Sequence, residues 1–274
     1  MPARPADPYP SVDLSGQVAV ITGASRGIGR AVAEGAAAAG SHVVLLSRRL
    51  EGVEAVGAAI EAAGGRALAL AAHVGEPGDV EAAVAEAAER LGGIDLLVNN
   101  AGTCPHYGPV LEASEALWDK TMDVNARGAW RAARACVPHL RARGGGRIVN
   151  VLSIAALVPQ PGVGLYCLSK AALKMLTEVL AVELAPDGIQ VNAVAPGFVR
   201  TRFSQGIWSD EAREAEVARG IPQHRMADPE EIAAVVLGLL SGMARFVTGA
   251  TVVADGGQMA ASGGLAGAQR DARP

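Results

Sequence analysis

Short, nearly unbroken apolar runs alternate along this chain with longer stretches in which alanine and charged residues recur at helical spacing. After its first residue, Gln17-Val-Ala-Val-Ile21 shows no polar face, and neither does His42-Val-Val-Leu-Leu46. A run that is apolar on both faces reads as a strand buried on both, as in a parallel sheet covered by helices. On this pattern, strands fall at 17–22, 42–46, 66–71, 94–98, 147–151, 189–194 and 250–254. Helices fall between them, at about 27–39, 50–63, 77–90, 114–141, 165–184 and 228–241. Gly144-Gly-Gly146 separates the long fourth helix from the fifth strand. The alternation continues from Gln17 to Val253 without a linker or a fixed-period repeat. That order predicts an α/β fold in a single domain: a doubly wound parallel sheet of about seven strands with helices on both faces.

Composition narrows the picture. The chain has 274 residues with only 3% aromatics, so its Ala/Gly-rich helices are expected to pack closely on the sheet. A net charge of −4 gives no support for binding nucleic acid or an anionic membrane. The longest apolar run, Ile232 to Leu240, is too short for a bilayer span of about 20 residues and reads as a buried helix. Met1 to Tyr9 is Pro-rich without a long apolar core, which is not the pattern of a secretory signal. Residues 1–13 are read as a disordered arm and 259–274 as a flexible tail. Cys104, Cys136 and Cys167 are scattered and odd in number; this argues against a disulfide framework and suits a reducing, cytoplasmic setting. The five histidines show no metal-ligand spacing, so no metal is expected.

The chemistry begins at the end of the first strand. Thr22-Gly-Ala-Ser-Arg-Gly-Ile-Gly29 lies between a strand and a helix, the context of a nucleotide phosphate loop in a Rossmann-type sheet. Gly23, Gly27 and Gly29 permit a tight turn and close backbone approach to a pyrophosphate. The helix that starts there offers unpaired N–H groups and a positive dipole end. After the second strand comes Ser47-Arg48-Arg49, where a site for NAD usually places an acid to bind the ribose 2′-OH. The nearest acid here is Glu51, inside the next helix. Arg48, with Arg26 of the glycine loop, suits the 2′-phosphate of NADP, so NADP(H) is favoured and NAD(H) remains possible. The competing reading of Arg48 and Arg49 is as solvated residues at a helix start.

Past the middle of the chain, Tyr166 and Lys170 are separated by one helical turn and share a face. A phenol has a pKa of about 10, and a neighbouring ammonium lowers it, making a proton shuttle. Ser153, just past the fifth strand, is placed to hydrogen-bond a substrate oxygen and the phenol together. Pro196-Gly197 follows the sixth strand and Asn99-Asn100 closes the fourth. Ligands in such sheets bind outside the carboxyl ends of the strands, so these motifs converge on one edge. The stretch 201–223 follows that edge and reads as a mobile lid, with Phe203, Trp208 and Tyr107 as candidate pocket walls.

Thr22 to Gly29, Asn99-Asn-Ala-Gly102, Asn125, Ser153, Tyr166-x-x-x-Lys170 and Pro196-Gly197 with Thr201 stand in the order of one family. Over roughly residues 14–258 the chain resembles the short-chain dehydrogenases/reductases. The resemblance implies a dinucleotide-binding catalytic domain over that span. It implies Tyr166 as general acid/base, Ser153 as the group that orients the carbonyl, and Lys170 bound to the nicotinamide ribose. Asn125 would hold a water linking Lys170 to solvent. The implied cofactor contacts are Gly23, Ser25, Arg26, Gly27, Ile28, Gly29, Ser47, Arg48, His73, Val74, Asn100, Ala101, Gly102, Tyr166, Lys170, Pro196, Gly197, Val199 and Thr201. Asn99 reads as a strand-tying residue more than a ligand.

Many members carry Asp-Val after the third strand, where this chain has His73-Val74. That segment, with Ser47-Arg-Arg49 and Arg202 to Trp208, is similar to the dehydrogenase/reductase member 4 group of NADPH-dependent carbonyl and retinal reductases. The chain ends Ala-Arg-Pro, so the peroxisomal address of that group does not carry over. The resemblance implies a small carbonyl or alcohol substrate and a homotetramer, or a homodimer, built through helices 114–141 and 165–184 and a final-strand contact. A 3-oxoacyl carrier reductase is the alternative. It calls for a basic patch, for which Arg127, Arg131 and Arg134 are the candidates, although a solvated or subunit-facing stripe explains them equally well. A non-catalytic dinucleotide-binding regulator is a second alternative, disfavoured by the complete acid/base set.

Overall fold

A computed structural model describes residues 12–262 of the chain. In chain order its main elements are β1 (Val18–Thr22), α1 (Gly27–Ala38), β2 (His42–Ser47), α2 (Leu50–Ala62), β3 (Arg66–Ala71), α3 (Asp79–Leu91) and β4 (Leu96–Asn99). Then follow α4 (Glu115–Met122), a π-helical turn (Asp123–Arg127), α5 (Gly128–Ala142), β5 (Gly146–Val151), α6 (Gly164–Leu184) and β6 (Ile189–Pro196). The chain continues through α7 (Gln205–Trp208), α8 (Glu211–Arg219), α9 (Pro229–Leu240), β7 (Thr251–Ala254) and α10 (Gln258–Ser262).

The strands form one seven-stranded sheet in the order β3-β2-β1-β4-β5-β6-β7, and every pairing is parallel. The order reverses between β1 and β4, which opens a crevice above their carboxyl ends. Side-chain alternation divides the strands from β1 to β6 between the two faces of the sheet, while β7 packs on one face only. Ala19 and Ile21 of β1 pack with α1, α2 and α9, while Val18 and Val20 pack with α3, α5 and α6. This double burial is why the strands read as continuous apolar runs.

Three local features differ from the sequence-based expectation. The single helix expected over 114–141 is α4 and α5 joined by the π-turn. The stretch 201–223, read as a lid and assigned no helix, holds α7 and α8, and the Asp210 carboxylate caps α8 by accepting from Ala212 N at 3.0 Å and Arg213 N at 3.2 Å. The tail expected from 259 begins instead as the helix α10. The rest of that tail (263–274) and residues 1–11 of the expected arm lie outside the described residues.

Candidate functional site

The glycine loop after β1 is tied to the sheet by a polar knot at the reversal point. Thr22 Oγ1 donates to Val98 O at 3.3 Å and accepts from Asn100 N at 3.0 Å and Ala101 N at 3.1 Å. Asn100 Nδ2 donates to Thr22 O at 3.0 Å and Gly23 O at 3.1 Å. The ends of β1 and β4 are thus locked together, and the Asn100 amide holds the loop from below. Gly23 and Gly27 take φ of +66° and +55°, values that favour glycine. Gly29 has no room for a side chain, since a Cβ there would lie 2.4 Å from both Gly23 O and Asn100 Nδ2. Arg26, at the N-cap of α1, supplies no side-chain cap, and the first turn carries no acid, so the leading N–H groups of α1 suit an anion. Ser25 packs against Gly52 of α2. Ile28 packs against the α1-side core.

At the end of β2, Ser47 Oγ donates to Arg49 O at 2.7 Å, while Arg48 and Arg26 stand exposed. Among the described residues no carboxylate pairs with either arginine. Two cations without counter-charges beside a glycine loop suit a ligand with an additional phosphate.

On the other side of the crevice, a buried chain of side chains fixes α6. Asn99 Nδ2 donates to Asn150 Oδ1 at 2.9 Å, and Asn150 Nδ2 donates to Thr177 Oγ1 at 2.9 Å. These bonds link β4, β5 and α6 and so set where Tyr166 and Lys170 stand. Asn99 is a tying residue, as the sequence suggested; Asn150, Thr177 and Thr22 were missed, because their roles exist only across strands. Lys170 Nζ donates to Val151 O at 2.8 Å, and Ser153 lies two residues beyond Val151. Ser153 Oγ accepts from Ala155 N at 3.1 Å and stands near enough to the Tyr166 phenol to lower its pKa.

Asn125 sits in the π-turn, fully buried. Its Oδ1 accepts from Thr103 N at 2.7 Å, and its Nδ2 donates to Thr103 O at 2.8 Å and Ser169 Oγ at 2.9 Å. Gly102 lies between the two polar groups: a Cβ on it would be 3.5 Å from Lys170 Nζ and 3.6 Å from Asn125 Oδ1. Pro196 ends β6, and Gly197 donates its N–H to Ala254 O at 3.0 Å. A Cβ on Gly197 would lie 2.8 Å from Asp255 Cβ. Val199 bridges to Ala227, and Thr201 joins the two loops, its Cγ2 lying where a Cβ on Gly27 would come within 3.2 Å. All the expected positions on β1, β4, β5, β6 and α6 therefore meet along one edge. These glycines let the loops pack closely on one another along that edge.

Comparison with known proteins agrees with this geometry. The family model described as Enoyl-(Acyl carrier protein) reductase matches residues 23–259. The chain is 41% identical to human dehydrogenase/reductase SDR family member 4 over 244 residues, which cover 89% of this chain and 88% of that protein. This chain belongs to the short-chain dehydrogenase/reductase family. A dehydrogenase/reductase from Sinorhizobium meliloti 1021 superposes with a TM-score of 0.83 at 41% identity, covering 90% of this chain and 97% of that one. A gluconate 5-dehydrogenase from Burkholderia cenocepacia J2315, solved with NADP and tartrate, superposes with a TM-score of 0.87 at 33% identity, covering 91% and 97%. This short-chain dehydrogenase/reductase is an oxidoreductase of CH–OH and C=O groups, in a family that binds NAD(P).

The electrostatics of Tyr166 and Lys170 depart from expectation. Burial pushes the Tyr166 phenol above its usual range; the nearby Ser153 opposes this, and Cys104, Cys167 and Tyr107 add to it. Lys170 does not lower it here, because the ammonium is bonded to the Val151 carbonyl and lies 5.7 Å from the Tyr166 ring centroid. Burial in turn lowers Lys170 to about 8. A folded-state value below the unfolded 10.5 means that the fold disfavours charged lysine. That penalty is complete below pH 8 and is relieved as pH rises toward 10.5, a stability gain on the order of 3 kcal/mol. Lys170→Met is therefore expected to be the more stable protein at pH 7, with the two urea midpoints converging by pH 10. Parallel curves would contradict this.

Of the expected walls, Phe203 faces the phenol, its ring centroid 5.7 Å from that of Tyr166. Trp208 donates Nε1–H to Thr201 O at 2.7 Å and so secures its own segment. Tyr107 is largely exposed. The arginines considered as a basic patch do not form one. Arg127 pairs with Asp123 and Arg134 with Glu81, while Arg131 is buried. Among the described residues, no three His, Cys, Asp or Glu side chains cluster to hold a metal. No helix among them is long and apolar enough to cross a membrane.

Proposed function

We propose that this chain is an NADP(H)-dependent carbonyl reductase or secondary-alcohol dehydrogenase that uses Tyr166 as general acid/base. The observation that carries the reading is Tyr166 beside Ser153, with Lys170 Nζ 5.7 Å from the Tyr166 ring centroid and anchored at the end of β5, on the same sheet edge as the glycine loop. When bound, the dinucleotide supplies or accepts the hydride. Gly23, Gly27, Gly29 and the start of α1 hold its pyrophosphate, while Arg48 and Arg26 hold the 2′-phosphate. Pro196, Gly197, Val199 and Thr201 hold the carboxamide end. Ser153 holds the substrate oxygen, and Tyr166 gives it a proton or removes one. Lys170 and Asn125 flank Gly102 and retain the water that returns the proton to solvent. The NADP bound to the gluconate 5-dehydrogenase relative supports the cofactor choice.

The catalytic domain spans 14–258. A homotetramer, with a homodimer as the alternative, is the assembly we favour. Trp130 on α5 and Leu168, Met175, Val179 and Val182 on α6 form an exposed apolar surface that suits a second copy. Free cysteines are consistent with a cytoplasmic setting. The carrier-protein substrate loses ground because its basic patch is absent from Arg127, Arg131 and Arg134.

The test is reduced-nicotinamide absorbance with a panel of ketones, aldehydes, diketones, retinal and an acetoacetyl thioester, using NADPH and NADH in parallel. NADPH should be oxidised in preference, and Arg48→Asp should reverse the preference by about tenfold or more, as expected when a charged contact to phosphate is replaced by repulsion. An unchanged NADPH/NADH ratio in the variant would overturn the cofactor assignment.

A further inference from the structure

Arg131 is a buried cation without a counter-charge. It lies in the first turn of α5, is only 7% exposed, and is paired with no carboxylate among the described residues. Its Nη1 donates instead to two main-chain carbonyls, Gly75 O at 2.7 Å and Val74 O at 3.2 Å. A charge placed inside a protein without a partner ion is costly, so this one is held for what it binds.

What it binds is the turn after β3. That turn is gripped by opposite charges at its two ends. The N–H of His73 donates to Asp79 Oδ2 at 3.2 Å, and the carbonyls of Val74 and Gly75 accept from Arg131. The turn is pressed directly on the helices. A Cβ on Gly128 would lie 2.9 Å from Val74 O, and one on Gly75 would lie 3.2 Å from Val124 Cγ2. Val74 shares its apolar cluster with Val124 and with Ala101, the residue after the asparagine that holds the phosphate loop. The turn therefore forms the wall of the crevice on the β3 side. Within it, the Gly75 N–H donates to His73 Nδ1 at 3.0 Å. An accepting Nδ1 leaves the proton of the neutral ring on Nε2, so the side chain presents a hydrogen-bond donor.

We propose that Arg131 is a positioning residue for the adenine half of the cofactor. It fixes Val74 and Gly75 so that the His73 Nε2–H and the Val74 main chain meet the base. The inference rests on the dinucleotide reading above. The test compares wild type, Arg131→Met and Arg131→Lys by calorimetry with adenosine 2′,5′-bisphosphate. Kinetics follow with NADPH and with reduced nicotinamide mononucleotide, a hydride donor that lacks the adenosine half. Arg131→Met should weaken the bisphosphate by about tenfold, the loss expected of one charge-assisted hydrogen bond. KM for NADPH should rise in step while kcat holds, and activity with the mononucleotide should stay at the wild-type level. Arg131→Lys, which can reach one carbonyl, should recover part of the loss; if the Met variant does not fold, the Lys variant carries the same comparison with a smaller shift. Unchanged bisphosphate affinity overturns the inference, and so does an equal fall with both hydride donors, which would mark a scaffold role. A wild type that does not bind the bisphosphate would instead refute the NADP(H) reading on which the inference rests, and the inference with it.

Discussion

Tyr166→Phe is expected to lower kcat by about a thousandfold, the middle of the range for general acid/base catalysis and equal to about 4 kcal/mol of barrier. The change removes one oxygen and little else. The ring remains to pack on Phe203, and the helix is held by the Asn99–Asn150–Thr177 chain, in which Tyr166 has no part. Ser153 keeps its bond from Ala155 N, so its position does not depend on the phenol. The dissociation constant for NADPH, read by fluorescence quenching, should stay within about twofold, since no hydrogen bond to charge is removed from the phosphate side. Residual turnover above a tenth of wild type would place the proton elsewhere. Loss of cofactor binding together with activity would make the residue structural. Because the enclosed phenol favours its protonated form, the expectation applies most directly to carbonyl reduction, in which that proton is given away.

How much of this was legible in the chain depends on how far each signal reaches. Strands buried on both faces announce themselves as apolar runs, and all seven strands, the less buried edge strands β3 and β7 included, appear where such runs stand. The glycine loop and the Tyr166–Lys170 pair are local in sequence, so their spacing could be read directly. What could not be read is anything set by a neighbour far along the chain. Thr22 holds β4 from 76 residues away, and Arg131 holds a turn 56 residues away. As sequence features they are an ordinary threonine and one arginine in a row of three.

The π-turn at Asp123–Arg127 is a different kind of miss. It contains no proline, and its only sequence trace is Asn125, a weak helix former, inside an otherwise helical pattern. Yet the turn brings the Asn125 amide to Thr103 and Ser169, a placement read here from tertiary contacts and not from the helical pattern. The α8 cap was readable, because Ser209-Asp210 ahead of Glu211 is a helix-start signal. The pKa expectation failed because i, i+4 spacing says which face two side chains share, not where an ammonium spends its hydrogen bonds.

Gly29→Ala should remove dinucleotide binding and destabilise the fold, although alanine is the better helix former. In an exposed helix this substitution gains up to about 1 kcal/mol. Here the added methyl carbon would sit 2.4 Å from a backbone carbonyl, Gly23 O, and 2.4 Å from Asn100 Nδ2. Neither group is the free end of a flexible side chain. Gly23 O belongs to the loop proposed to cradle phosphate, and Asn100 Nδ2 donates to that same oxygen and to Thr22 O. Moving either one breaks the knot between β1 and β4, so the overpacking cost of about 1–3 kcal/mol exceeds the gain in propensity. Gly206→Ala is the matched control. That glycine lies in α7 with no heavy atom within 4 Å of its would-be Cβ, so only the propensity gain remains. Urea midpoints should move in opposite directions for the two variants, and only Gly29→Ala should lose retention on an NADP-analogue column. If Gly29→Ala binds as wild type does, the helix start is not where the pyrophosphate lies.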